Sequence, residues 1–241
     1  MKVAAYQAPL LAEGSRDALD LIRERVRECE TKGVSILCSP EAVIGGLADN
    51  SRNPARFTIR TEEGELTSIL APLASDTVTL IVGFSEVASD GKIYNAAAVF
   101  WSGLVLGVYR KIHPAIRQSI YAAGSQIPLF QADGLTFGVV ICNDSNFPEL
   151  ARHVAAEGAS VLFIPTNNGL PKKRASPEQS TAACNADIAL AIDHRLWVVR
   201  ADVTGENGLL ASYGCSEIVN MHGTVVQRAR QWSAEMLVAE I

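Results

Sequence analysis

Short apolar blocks alternate with amphipathic and polar stretches along the whole chain. The blocks "KVAAYQ", "VSILCSPE", "TVTLIVGFSE", "LTFGVVIC" and "SVLFIP" are too brief for helices and read as buried strands. The segment "SRDALDLIRERVRECETKG" places Ala18, Leu19, Ile22, Val26 and Cys29 at helical spacing, with Ser15 as N-cap and Gly33 as stop. "GELTSILAPLAS" predicts a helix despite Pro72, and "FPELARHVAAEG" one that Gly158 ends. "SPEQSTAACNADIALAIDHR" predicts a long helix with Ser176 at the N-cap, Pro177 at N1 and Gln179 at N3. "KIYNAAAVFW" and "LVLGVYRK" flank Ser102-Gly103 as a hairpin. "LWVVRAD", "CSEIVN", "TVVQRA" and "EMLVAE" complete the strands. Strand–helix alternation interrupted by hairpins argues an α/β layered fold that mixes parallel and antiparallel strands. No linker-like or low-complexity stretch divides it, so residues 1–241 are expected to form a single domain.

Composition narrows the function classes. With 241 residues, 48% of them hydrophobic and 20% charged, the chain buries a core without staples. The net charge of −5 is interleaved, and the one basic cluster, Lys172 to Arg174, is too short to argue for nucleic acid. The amino terminus lacks the apolar run of a signal peptide, and no stretch approaches the roughly 18 residues of a membrane span. Five scattered cysteines fit reduced thiols in a cytoplasmic protein better than a disulfide framework.

Reactive groups sit where predicted strands end, the usual place for chemistry in α/β folds. Glu41 follows "VSILCSP", Lys111 follows "VLGVYR" and Cys142 closes "LTFGVVI". If they converge, the carboxylate is a general base for the thiol, and the ammonium stabilises both thiolate and oxyanion. The backbone N–H of Asn143 would be a second oxyanion donor, and the set would serve acyl transfer through a thioester. Each residue also has a plainer reading: Cys142 as a small buried hydrophobe, Glu41 as a turn cap, Lys111 as a solvated strand-end charge. The other four cysteines keep that plainer reading.

The surrounding segments settle more. "SPEAVIGG" around Glu41, "YRKIHP" around Lys111 and "ICNDSNFPE" around Cys142 resemble the three signature segments of the carbon–nitrogen hydrolase (nitrilase) superfamily, in its order and at its spacing. "VAAYQAP", "DGKIYNAAAVF", "GASVLFIPTN" and "AIDHRLWVVRADVTG" extend the resemblance over essentially the whole chain. It implies a four-layer αββα sandwich of two mixed sheets and a homodimer or larger homo-oligomer. It also implies a Glu–Lys–Cys triad carried onto Glu41, Lys111 and Cys142, with no metal or organic cofactor. The implied reaction is hydrolysis of a non-peptide carbon–nitrogen bond of a small molecule. The short chain favours an amide or carbamoyl over a nitrile.

Departures from the pattern matter. Family members usually carry a second glutamate between the Lys and Cys segments, yet residues 112–132 contain no Asp or Glu. Gln118 or Arg117 lies roughly where it would fall, which leaves a catalytically weak or binding protein on the same fold as the alternative. "PTNNGLPKKR" should overhang the pocket, with Asn167 and Asn168 as substrate contacts or turn residues, and Arg174 as a carboxylate partner or a solvated loop charge. His113 permits a rival, a Cys–His hydrolase oriented by Asn143 or Asp144. Motifs of serine hydrolases, zinc proteases and nucleotide-binding loops are absent from the sequence.

Overall fold

The computed structural model describes residues 1–61 and 64–241, the side chain of Gln179 excepted. The first half runs β1 (Lys2–Pro9), α1 (Ala18–Lys32), β2 (Val34–Cys38), α2 (Glu65–Leu70), β3 (Thr79–Val87), β4 (Ile93–Trp101) and β5 (Leu104–Arg110). Next come β6 (Leu129–Ala132), β7 (Leu135–Val139), α3 (Pro148–Ala156), β8 (Val161–Pro165), β9 (Leu170–Pro171) and α4 (Pro177–His194). The chain closes with β10 (Trp197–Ala201), β11 (Val203–Asn207), β12 (Leu210–Ser212), β13 (Glu217–Val219), β14 (Val225–Arg228) and β15 (Glu235–Glu240).

Two mixed sheets result. One has the order β5-β4-β3-β2-β1-β11-β12-β9, with β15 also on β1; the other is β14-β13-β10-β8-β7-β6. Parallel pairs form both centres, β11–β1–β2–β3 and β7–β8–β10, and antiparallel strands flank them. β1 shows how sequence makes the layers. Its Val3 and Ala5 join the core shared with the second sheet, while Ala4, Tyr6 and Ala8 pack with Ile22 and Val26 of α1. Both faces are buried, so the strand reads as an unbroken apolar run rather than an alternating one. Leu66 and Leu70 of α2 join that outer core, and Leu150, Val154, Leu190 and Ala191 of α3 and α4 cover the second sheet. The architecture is therefore a four-layer αββα sandwich. Burying a side chain such as Ile22 contributes roughly 1.5–3 kcal/mol.

Several local expectations shift. α1 begins at Ala18, and Ser15 instead accepts the Asp17 N–H at 3.1 Å, forming a turn ahead of the helix. Gly33 does end it, in the left-handed conformation at φ 65°. Ser176 occupies the N-cap of α4 without a side-chain capping bond, and the expected role of Gln179 lies outside the described residues. Pro72 falls in a single 3-10 turn, Ala71–Leu73, because a residue without an N–H cannot extend α2. β6, β9, β11 and β12 were not expected; short pieces such as "VTGEN" carry too little apolar pattern to read as strands.

Candidate active site

Residues just past the carboxyl ends of β2, β5, β7 and β8 line one cavity of about 260 Å³: Glu41, Lys111, Cys142 and Asn167. Each arrives by a different piece of local structure. β2 stops at Cys38, and the loop turns so that Glu41 is buried and Ala42 adopts φ 46°. The approach is close because β3 has Gly83 beneath it: a Cβ there would collide with Pro40 O and stand 2.8 Å from Glu41 Cα. A glycine inside a strand commonly marks such a backbone approach.

Glu41 is held from three directions. Its Oε1 accepts from Lys111 Nζ at 2.6 Å and from Asn95 Nδ2 at 2.7 Å, and its Oε2 accepts the Asn167 N–H at 2.9 Å. Asn167 Nδ2 also donates to the Glu41 carbonyl at 3.3 Å, and the Glu41 N–H donates to Thr166 O at 3.2 Å. Lys111 is buried at the end of β5, its own N–H donating to Asn95 O at 2.8 Å. Burial works against its ammonium, but Glu41, Cys142 and Asp144 outweigh that and hold it above the usual lysine range.

Cys142 is half-buried and stands in the left-handed region at φ 47°. A non-glycine residue there is strained by roughly 1–2 kcal/mol, so its surroundings must fix it. The next residues form one 3-10 turn, Cys142–Asn146, and α3 starts only at Pro148. Cys142 thus stands between the end of β7 and α3, at the head of this 3-10 turn. Asp144 locks the turn. Its carboxylate accepts from the Ile141 N–H at 3.1 Å, the Tyr109 hydroxyl at 2.7 Å and the His113 N–H at 2.8 Å. Burial raises Asp144 above the usual carboxylate range while these donors oppose the shift. Burial, followed by the Glu41 charge, pushes the Cys142 thiol up to about 12, with Lys111 pulling the other way.

The remaining candidates divide. Asn167 lines the cavity, but its polar groups are spent on Glu41 and on the Gly169 N–H, which makes it a holder of the carboxylate. Asn168 turns elsewhere: its amide donates to Asp202 at 2.9 Å and to Cys215 Sγ at 3.3 Å, and it is not among the cavity-lining residues. The Asn143 side chain likewise leaves the cavity and donates to His113 O at 3.1 Å. The His113 ring stacks on Phe147 with centroids 3.5 Å apart, which removes it from the cavity wall and from the rival Cys–His arrangement. Arg174 is exposed at the cavity rim. Gln118 and Arg117 are exposed and do not line the cavity. The acid on that wall is Asp49, from an earlier loop, which accepts from Ser119 Oγ at 2.8 Å and the Ile120 N–H at 2.8 Å. Asn95, Tyr109, Asp49 and Arg200 also shape the site and are not among the sequence candidates. For Asn95 and Arg200 the signal was a polar group inside an apolar strand block, since such a group must find partners once buried.

The chain and its sandwich fall in a known class. The chain belongs to the carbon-nitrogen hydrolase family, whose profile matches residues 2–241. It is 30% identical over 220 residues to a nitrilase of Pyrococcus abyssi, covering 90% of this chain and 80% of that one. An N-carbamoylputrescine amidase of Oryza sativa subsp. japonica is 26% identical over 239 residues, covering 92% of this chain and 79% of that one. Among solved structures, the fold is shared with an amidase of Nesterenkonia sp. AN1 at a TM-score of 0.84 and 23% identity, covering all of this chain and 93% of that one. That structure is a glutamate-to-glutamine variant with acrylamide added to its active-site cysteine. Among the described residues no helix is long and apolar enough to cross a membrane.

Proposed function

We propose that the protein hydrolyses the carbon–nitrogen bond of a small amide or carbamoyl compound through a thioester on Cys142, with Glu41 as general base and Lys111 as electrostatic stabiliser. The single observation that carries this reading is the cavity that Cys142 lines together with a carboxylate and an ammonium 2.6 Å from each other. The thiol is protonated at neutral pH, so attack needs a base at hand. Sγ bonds to the carbonyl carbon as its proton passes to Glu41, and the Lys111 ammonium and the Asn143 N–H stabilise the oxyanion. Collapse breaks the C–N bond, the departing amine takes the proton from Glu41, and a thioester remains. Water, deprotonated by the same carboxylate, then releases the acid and restores the thiol.

The N-carbamoylputrescine amidase relative supports an amide or carbamoyl substrate, and the nitrilase relative makes a nitrile an outcome of the test. The cavity suits a small molecule: Leu47, Pro114, Ile116 and Leu170 make its apolar wall, and Asp49 and Arg174 put one charge of each sign at its edge. The test is ammonia release over a panel of small amides, carbamoyl compounds and nitriles. Glu41→Gln should lower kcat/KM by about 10²–10⁴-fold, and Cys142→Ala should abolish turnover. His113→Ala should keep activity, and its loss with Glu41→Gln unaffected would restore the Cys–His rival. No turnover of any panel member, by protein whose thiol still alkylates, would favour a binding protein on this fold.

A further inference from the structure

Arg200, next to the last residue of β10, is fully buried. Removing a guanidinium from water is costly unless every part of it is paired, so its partners are informative. Asp187 of α4 supplies the countercharge, accepting from Nε at 2.6 Å and Nη2 at 2.5 Å. The other two contacts lead to the cavity. Nη2 donates to Ser145 Oγ at 2.9 Å, and that hydroxyl donates to the Cys142 carbonyl at 2.8 Å. Nη1 donates to Thr166 Oγ1 at 2.7 Å; the Thr166 carbonyl accepts the Glu41 N–H, and the next residue donates its N–H to Glu41 Oε2. One rigid, planar group therefore braces the turn that carries Cys142 and the turn that grips Glu41.

We propose that Arg200, acting through Ser145 and Thr166, is a positioning residue that keeps the strained Cys142 turn and the Glu41 carboxylate at reacting separation. The inference rests on the reading of Cys142 as nucleophile and Glu41 as base. Asp144 clamps the strained residue on its amino side, through the Ile141 N–H, and the Arg200–Ser145 relay clamps its carbonyl side. A lysine could not reproduce the arrangement, because a point-like ammonium has no planar fork to satisfy Asp187 while reaching two hydroxyls on separate turns. An ion pair that served packing alone could be exchanged for apolar residues of similar volume at little loss. A brace could not.

The test compares wild type, Ser145→Ala, Arg200→Lys and the double variant Arg200→Met/Asp187→Leu, which leaves no unpaired buried charge. The readouts are kcat and KM separately, the rate of Cys142 alkylation by iodoacetamide at pH 7.5, and the thermal midpoint. Ser145→Ala and the double variant should lose at least about tenfold in kcat, with KM within about threefold and alkylation slowed in parallel, as expected for a displaced reacting atom. Arg200→Lys should recover part of the loss seen in the double variant. A folded double variant with wild-type kcat and alkylation rate would overturn the proposal whatever its thermal midpoint. If the Arg200 variants do not fold, Ser145→Ala decides alone, and unchanged kcat and alkylation would overturn it. A failure of the underlying reading looks different: Cys142→Ala would then retain turnover in the wild-type background.

Discussion

Cys142 keeps its proton through the neutral range because burial, and next the Glu41 charge, outweigh the pull of Lys111 and push the thiol up to about 12. The arrangement thus separates acidity from reactivity: the carboxylate that makes the thiol usable as a nucleophile also disfavours the free thiolate. Glu41→Gln should pull the two apart. Removing the carboxylate charge leaves the Lys111 ammonium facing the sulfur, so alkylation of Cys142 by iodoacetamide should rise at lower pH than in wild type while turnover falls. In wild type the alkylation rate should show no plateau near the ordinary cysteine value of about 9 and should still be climbing at pH 10. A pH–rate curve for the variant shifted upward in pH would contradict this electrostatic account.

Among elements, the loop after β2 and the strand β3 beneath it matter most, because Gly83 lets the Glu41 backbone lie against β3. Gly83→Ala should cost about 1–3 kcal/mol through overpacking and lower kcat/KM by at least about tenfold, although Gly83 does not line the cavity. Thermal denaturation and steady-state kinetics check both parts, and full activity in the variant would mean the loop can retreat without moving the carboxylate. The same region shows what a sequence reveals. Glu41, Lys111 and Cys142 stand out because each follows a clear apolar block, and the blocks themselves trace nearly every long strand and α1, α3 and α4. The roles of Asn168 and Asn143 were not legible, since the direction of a turn side chain depends on Asp202 and on His113 O, which are remote in sequence. Arg200 was hidden for the same reason: its meaning lies in Asp187, Thr166 and Ser145, all brought together by strand order.

At the scale of the whole molecule, burial of thiols couples folding to alkaline pH. Cys29, on the buried face of α1, and Cys142 are both pushed up to about 12, chiefly by burial, from an ordinary value near 9. A raised folded value means the folded state holds its proton longer than the unfolded chain. Below about 9 the stability is fully present, and it is lost as pH climbs toward about 12, where the unfolded chain alone has released its protons. The thermal midpoint should therefore fall between pH 9 and pH 11, less steeply for Cys29→Ala, and a flat midpoint over that range would refute the coupling. The central claim is that Cys142 forms the bond to substrate, and intact-mass spectrometry after brief mixing with an amide, carbamoyl and nitrile panel tests it most directly. Wild-type protein should acquire an acyl adduct that maps to Cys142 and decays as product forms, and Cys142→Ala should acquire none. Turnover of a panel member with no such adduct on the wild type, or with an adduct that persists in Cys142→Ala, would contradict that claim.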